Sequence, residues 1–384
     1  MSRVVDITIW MLRMGEIDKS ADLIVSLSVV GDRPTGLATY ALNVAPYLAV
    51  QNTLLLASIE AQRQISKIQV QDLSYYEIPA GMSAEHGKAG HFRRLRWTQT
   101  QLPKIHRTLK AKLVFSPLPE APLWNRCRSV VMVHDLIPLR FPNWRSPLTI
   151  YAKYYVPLVL HQALHIVCNS QATANDIVDF YGISADKITP IPLAHQADHF
   201  RWLDLPTSNY FVYLGRQDPY KNLHRVLDAF AALPRCQDYE LWLVGSTDPR
   251  FAPDLAAHAE ALGIAAQVKF LDYLPYAELP QVLNRAIALL FPSLWEGFGF
   301  PVLEAMACGT PVITSDRSAM PEVAGEAALL VNPEDTGAIA HAMQRLIAEP
   351  DVRSHLRTAG LARARQFSWE QTGAATREVL SRFL

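Results

Sequence analysis

Short, nearly continuous apolar runs recur along the chain, each closed by turn residues and followed by a stretch with helical spacing. In the first half they are "LIVSLSVV" (23–30), "NTLLLAS" (52–58), "KLVFSP" (112–117), "VVMVHD" (130–135), "HIVCNS" (165–170) and "ITPIPL" (188–193). The second half repeats the scheme with "YFVYLG" (210–215), "LWLVGS" (241–246), "VKFLDY" (268–273), "IALLFPS" (287–293) and "TPVITSD" (310–316). Strands apolar on both faces and alternating with helices predict parallel sheets covered on both sides. The expected fold class is α/β with two doubly wound halves. The segment 195–209, "HQADHFRWLDLPTSN", follows neither period and is the expected linker.

At about 100–200 residues per domain, 384 residues suit two or three domains. A hydrophobic content of 50% excludes disorder over most of the chain. The most apolar long stretch, 149–168, contains Lys153, His161, Gln162 and His165, so it falls short of the ~18 clean apolar residues of a bilayer span. "VVDITIWML" near the start is interrupted by Asp6 and has no small-residue cleavage site after it. A packed extension or a mis-assigned start is expected there rather than a secretory signal. Cysteines at 127, 168, 236 and 308 form no C-x-x-C pair, which fits a reducing, cytoplasmic setting.

The balance of 36 Lys+Arg against 36 Asp+Glu hides an asymmetry: residues 1–200 hold 20 basic and 15 acidic side chains, and 201–384 hold 16 and 21. Between 87 and 119 stand Lys88, Arg93, Arg94, Arg96, Lys104, Arg107, Lys110 and Lys112 with no acid. Such a run is a solvated helix face, or it draws the protein to an anionic lipid surface or a phosphorylated acceptor. The second reading implies peripheral contact with the inner face of a membrane. Nothing in the pattern calls for a nucleic acid.

Ligands of open parallel sheets sit beyond the carboxyl ends of the strands. After "FVYLG" comes "RQDPYKN", which puts Arg216 at a strand exit and Lys221 just before a helix. Two cations at one strand end suit a diphosphate. "LWEGFGFPVLEA" (294–305) follows another strand. Its Gly297 and Gly299 allow close backbone approach to a ligand, and Pro301 suits the first turn of a helix, where its missing N–H costs nothing. Free N–H groups of Val302 and Leu303 would then face a pyrophosphate at the positive end of the dipole. Glu296 and Glu304 flank that site and can accept bonds from hydroxyl groups.

In the first half, His134 and Asp135 end a strongly apolar strand, and Gly36 lies in the turn before an amphipathic helix. His161 and His165 lack the Glu of H-E-x-x-H and fit packing. "GFGFPV" fails the G-x-G-x-x-G fingerprint, and there is neither a Walker A sequence nor a G-x-S-x-G elbow. Dehydrogenase, P-loop NTPase and hydrolase readings lose support.

Taken together, "GRQDPYKN", "EGFGFPVLEA", "VHDLIP" and "TGLATY" resemble the motifs of the retaining glycosyltransferases of family 4, from about Leu23 to the C-terminus. The early loop departs from the family in reading "TGLATY" where a second small residue is common. The resemblance implies a GT-B fold, two Rossmann-like domains facing across a cleft. Its expected divisions are an extension (1–22), an acceptor-side domain (23–200), a nucleotide-sugar domain (201–366) and a helix crossing back (367–384). It further implies that Arg216 and Lys221 neutralise the donor diphosphate and that Glu304 binds the ribose. Glu296 and the amides of Phe298 and Gly299 would hold the transferred hexose, His134 would reach that sugar across the cleft, and Gly36 would lie near the phosphates and acceptor. Neither a metal nor a resident cofactor is expected, because no D-x-D stands at a strand end and the cations suffice for the leaving group. The implied activity is retaining hexosyl transfer from a nucleoside-diphosphate sugar, GDP-mannose favoured, to a glycan or lipid-linked acceptor. A sugar-nucleotide epimerase of the same fold and a non-catalytic sugar-nucleotide-binding subunit are the alternatives.

Overall fold

The computed structural model describes residues 20–384 apart from 34, 50–51, 69–72 and 273, so most of the extension expected at 1–22 lies outside the described residues. The first sheet has seven parallel strands: β1 (Leu23–Ser26), β2 (Thr53–Ala57), β3 (Tyr75–Glu77), β4 (Leu113–Ser116), β5 (Ser129–Val133), β6 (His165–Cys168) and β7 (Ile188–Pro190), in the order β3-β2-β1-β4-β5-β6-β7. The second has six: β8 (Tyr210–Leu214), β9 (Glu240–Val244), β10 (Val268–Leu271), β11 (Ala288–Phe291), β12 (Val312–Ser315) and β13 (Leu329–Val331), in the order β10-β9-β8-β11-β12-β13. The helices around the cleft are α1 (Gly36–Leu48), α2 (Gly87–Thr100), α3 (Gln171–Tyr181), α4 (Leu223–Ala231), α5 (Phe300–Ala307), α6 (Pro350–Ala364) and α7 (Trp369–Ser381).

The strands follow from their residue types. β5 reads SVVMV and β11 reads ALLF, and every residue of both is buried, as strands covered on two faces require. Each sheet reverses its strand order once, between β1 and β4 and between β8 and β11, and that switch point opens a crevice at the strand ends. The first crevice receives the turn before α1 and the end of β5; the second receives the exits of β8 and β11. Both polar segments singled out in the second half thus flank one crevice.

Segment 191–209 joins the sheets, and α7 returns to the first domain. The packing of α7 on α1 is so close that a Cβ on Gly373 would lie 2.4 Å from Tyr47 Cβ. Thr372 Oγ1 also donates to the Pro192 carbonyl at 2.8 Å.

One expectation about charge needs correction. Arg94 points inward from α2 and is only 6% exposed, its guanidinium donating to both oxygens of Glu120 at 2.9 Å. It is therefore absent from the basic face. Lys112 remains exposed but pairs with Asp22 at 2.9 Å.

Candidate active site

The exit of β8 runs through Arg216 into a short turn, Pro219–Lys221, and then a left-handed Asn222 (φ 66°) before α4. The Asn222 side-chain amide donates to the carbonyls of Pro292 (3.0 Å) and Pro333 (2.6 Å), which ties this turn to the exit of β11. Lys221 is thereby carried to Glu296, and Nζ donates to Oε1 at 2.6 Å with the two side chains 11% and 9% exposed. The ammonium also lies 4.9 Å from the Phe291 ring centroid and 5.2 Å from that of Tyr220. Arg216 stays largely solvent-facing, bridged to Asp218 at 3.0 Å and to the Tyr220 hydroxyl at 3.3 Å.

Helix α5 begins where the sequence places it, with Pro301 in its first turn. Its first residue is Phe300, and Gly299 occupies the cap with φ 105°, a conformation that needs glycine. A Cβ there would also meet Met320 Cε at 2.4 Å. The Val302 and Leu303 amides are consequently spent on the Gly299 carbonyl at 3.1 and 3.5 Å, and their side chains are fully buried. At the start of the helix the amides of Phe298, Gly299 and Phe300, like that of Gly297 before them, have no acceptor among the described residues. The helix start thus presents open N–H groups, as an anion site requires, but not those of Val302 and Leu303.

Gly297 likewise has another reason than the one expected. A Cβ on it would lie 2.1 Å from the His134 carbonyl oxygen and 2.9 Å from Asp135 Cβ, so the missing side chain admits the opposite domain. Gly36, the first residue of α1, faces the start of α5, where a Cβ would stand an ordinary 3.7 Å from the Phe300 ring.

The His134 ring contacts the Pro117 carbonyl through Nε2 at 2.9 Å and meets Tyr40 edge-on. A carbonyl only accepts, so Nε2 carries the hydrogen and Nδ1 is left as an acceptor. Burial lowers the imidazole pKa to about 4, which keeps it neutral at physiological pH. Asp135 moves the other way: burial raises its pKa, with the Glu296 charge adding to the rise and Lys221 and Arg216 opposing it. Glu304 is half-buried, bonds no side chain among the described residues, and burial pushes it up to about 7.

The arrangement offers an ammonium with donors left over from its bond to Glu296, a guanidinium and open amides on one side of a crevice, with carboxylates and a neutral imidazole beside them. Such a set can bind a diphosphate and hold a hydroxyl-rich group next to it. The Glycosyltransferase Family 4 model matches residues 34–195, and the Glycosyl transferases group 1 model matches 195–363. Over 267 residues the chain is 31% identical to O-antigen chain mannosyltransferase B of Escherichia coli, covering 65% of this chain and 69% of that protein. The chain belongs to the family 4 glycosyltransferases.

The serotype-specific mannosyltransferase WbdA of Escherichia coli is 28% identical over 282 residues, which is 67% of this glycosyltransferase but only 34% of WbdA. The chain thus spans about a third of that relative. Among solved structures, sucrose-phosphate synthase from Thermosynechococcus elongatus superposes with a TM-score of 0.73 at 20% identity, over 95% of this chain and 99% of that one. That likeness bears out the GT-B fold expected from the motifs.

Arg216, Lys221, Glu296, Phe298 and Gly299 of the glycosyltransferase converge on the second crevice, and His134 reaches it from the first domain through the contact of Gly297 with the His134 backbone. Several residues of the cleft were not assigned a role from sequence. Asp135 was legible as the neighbour of His134 at a strand end. Tyr220, Arg140, Asp176 and Trp295 gave no signal, because each meets a partner distant in the chain, Tyr220 by stacking on Phe141. No helix among the described residues is long and apolar enough to cross a membrane.

Proposed function

We propose that this glycosyltransferase moves mannose from GDP-mannose to a hydroxyl of a glycan or lipid-linked acceptor, with retention at the anomeric carbon. The observation that carries the reading is the Lys221–Glu296 pair, buried at the second switch point beside the open amides of Phe298, Gly299 and Phe300. Lys221 and Arg216 suit the diphosphate, and the amides at the start of α5 suit the same group. Glu296 suits hydroxyls of the transferred sugar and Glu304 those of the ribose. Mannose is favoured because both curated relatives described above are named as mannosyltransferases.

As the bond from the anomeric carbon to the diphosphate breaks, negative charge grows on the leaving oxygen. Fixed cations and N–H dipoles stabilise that charge more in the transition state than in the ground state, so no metal is needed as Lewis acid. The departing phosphate oxygen, on the same face as the incoming hydroxyl, takes up its proton. His134, neutral and with Nδ1 free to accept, serves as a hydrogen-bond partner for the sugar rather than as a charged group.

A thermal-shift panel of nucleotide sugars identifies the donor, since ligand at 100 times its Kd adds roughly 2.7 kcal/mol. Proton NMR of the product, from a reaction run in EDTA, then tests the chemistry. An α-linked product from an α-linked donor is expected. A β-linkage excludes retention, and turnover that appears only on adding Mg²⁺ excludes the metal-free route. Conversion of the donor without acceptor would point to an epimerase.

Peripheral membrane contact belongs to the same proposal. Lys88, Arg93, Arg96, Lys104, Arg107 and Lys110 are exposed and free of acidic partners among the described residues, and Phe92 beside them is 68% exposed. Each cation that reaches an anionic surface contributes about 1 kcal/mol. Equal flotation with anionic and neutral vesicles at low salt would remove this part.

A further inference from the structure

Glu296 sits on a short peptide whose neighbours on both sides are held by the opposite domain. On one side, the Trp295 indole N–H donates to Asp176 Oδ2 on α3 at 3.0 Å. The other Asp176 oxygen accepts from Arg140 Nε at 3.1 Å and Nη2 at 2.5 Å. The Arg140 guanidinium lies over the Trp295 ring, 4.1 Å from its centroid, and 5.1 Å from that of Phe180. Asp176 is only 1% exposed. On the other side, the Gly297 carbonyl accepts from Ser170 Oγ, the cap of α3, at 2.7 Å, with Thr173 Oγ1 at 3.4 Å. From its own domain the peptide has the bond of the Glu296 N–H to Ser318 Oγ at 3.1 Å.

We infer that α3 is a clamp on the sugar-binding loop: Asp176 and Ser170 set the position of the Glu296 carboxylate, and Arg140, Asp176 and Trp295 are positioning residues for transfer. Were the domains to part, Trp295 and Gly297 would lose these partners together, leaving Glu296 with Ser318 and the ion pair to Lys221. The aim of the carboxylate is therefore coupled to the closed cleft. Arg140 ends the short helix Ile137–Arg140 that follows His134 and Asp135, so the same cluster fixes both walls of the sugar site. Charge-assisted bonds at a buried acid suit this role, because they lose strength steeply when geometry slips.

The inference rests on the assignment of Glu296 to the sugar. Trp295→Phe keeps an aromatic face for Arg140 and deletes the N–H. With the donor that the panel selects, GDP-mannose expected, kcat for release of the nucleoside diphosphate should fall roughly 10-fold or more, since misplacement by about 1 Å can cost 10²-fold. The Kd for GDP should stay within about twofold, because Arg216, Lys221 and Glu304 are untouched. Asp176→Asn should behave alike. Glu322→Gln is the control: Glu322 accepts from the Gln171 and Ala172 amides at 2.7 Å, bridging the same domains without touching residues 295–297, and its kcat should remain near wild type. Full turnover in Trp295→Phe overturns the clamp. So does an equal loss in Glu322→Gln, which would indicate general domain docking, and so does a parallel loss of GDP affinity in Trp295→Phe. Glu296→Gln, run alongside, separates the two levels: if it turns over normally the sugar assignment fails, and if it is inactive while Trp295→Phe is not, only the clamp fails.

Discussion

Arg94–Glu120 in the first domain and Lys221–Glu296 in the second are ion pairs with both partners largely buried, and the two differ in what they leave unsatisfied. In the first domain, Arg94 bonds both oxygens of Glu120, the Met82 carbonyl at 2.7 Å and His91 Nδ1 at 2.9 Å. Little donor or acceptor capacity remains, and the pair ties α2 to the loop after β4. In the second domain, Lys221 and Glu296 share one bond, although an ammonium has three donors and a carboxylate two oxygens. What separates the two pairs is thus spare hydrogen-bonding capacity facing a crevice, which suits the second to the ligand proposed for it, rather than burial, which is nearly the same in both.

The strongest way to break that comparison is to remove the cation from each pair. Arg94→Ala strands a buried Glu120 and should cost about 3–5 kcal/mol, read as a lower urea midpoint. A loss below about 1 kcal/mol would mean that water reaches the site and that the pair is not structural.

Lys221→Ala should lower kcat by roughly 10²-fold, as the loss of one preorganised charge-stabilising donor does. Its stability cost should be well below that of Arg94→Ala, because cleft water can reach the released Glu296. Normal turnover, or destabilisation equal to that of Arg94→Ala, would place both pairs in one class.

A smaller effect sharpens the contrast through pH. Burial raises the Glu304 pKa from 4.5 to about 7, so between those values the fold keeps a proton that the unfolded chain has released. The folded form is then favoured less and less as pH rises from 4.5 to 7. The melting temperature of Glu304→Gln relative to the native protein should therefore climb across that range, and a flat difference would refute the shift. Glu304→Gln should also weaken GDP binding, whereas Glu296→Gln should spare it.

The strands, the two sheets and the segments bearing the chemistry were legible because they are coded locally, by apolar runs, turn residues, and a glycine and proline at a helix start. Arg216, Lys221, Glu296 and His134 stood out for the same reason: each lies in the segment that follows a strand. What the chain order could not reveal was which groups meet. Lys221 and Glu296 are 75 residues apart, and Ser170 lies 127 residues from the carbonyl it holds. The inward turn of Arg94 depends on Glu120 arriving from another loop, and the Val302 and Leu303 amides are closed because both turn back to the Gly299 carbonyl. Sequence by itself determined the period and punctuation of the elements and the chemistry at their ends. Tertiary structure alone decided their pairing, because the bonds across the cleft form only once two sheets and the returning helix α7 have packed.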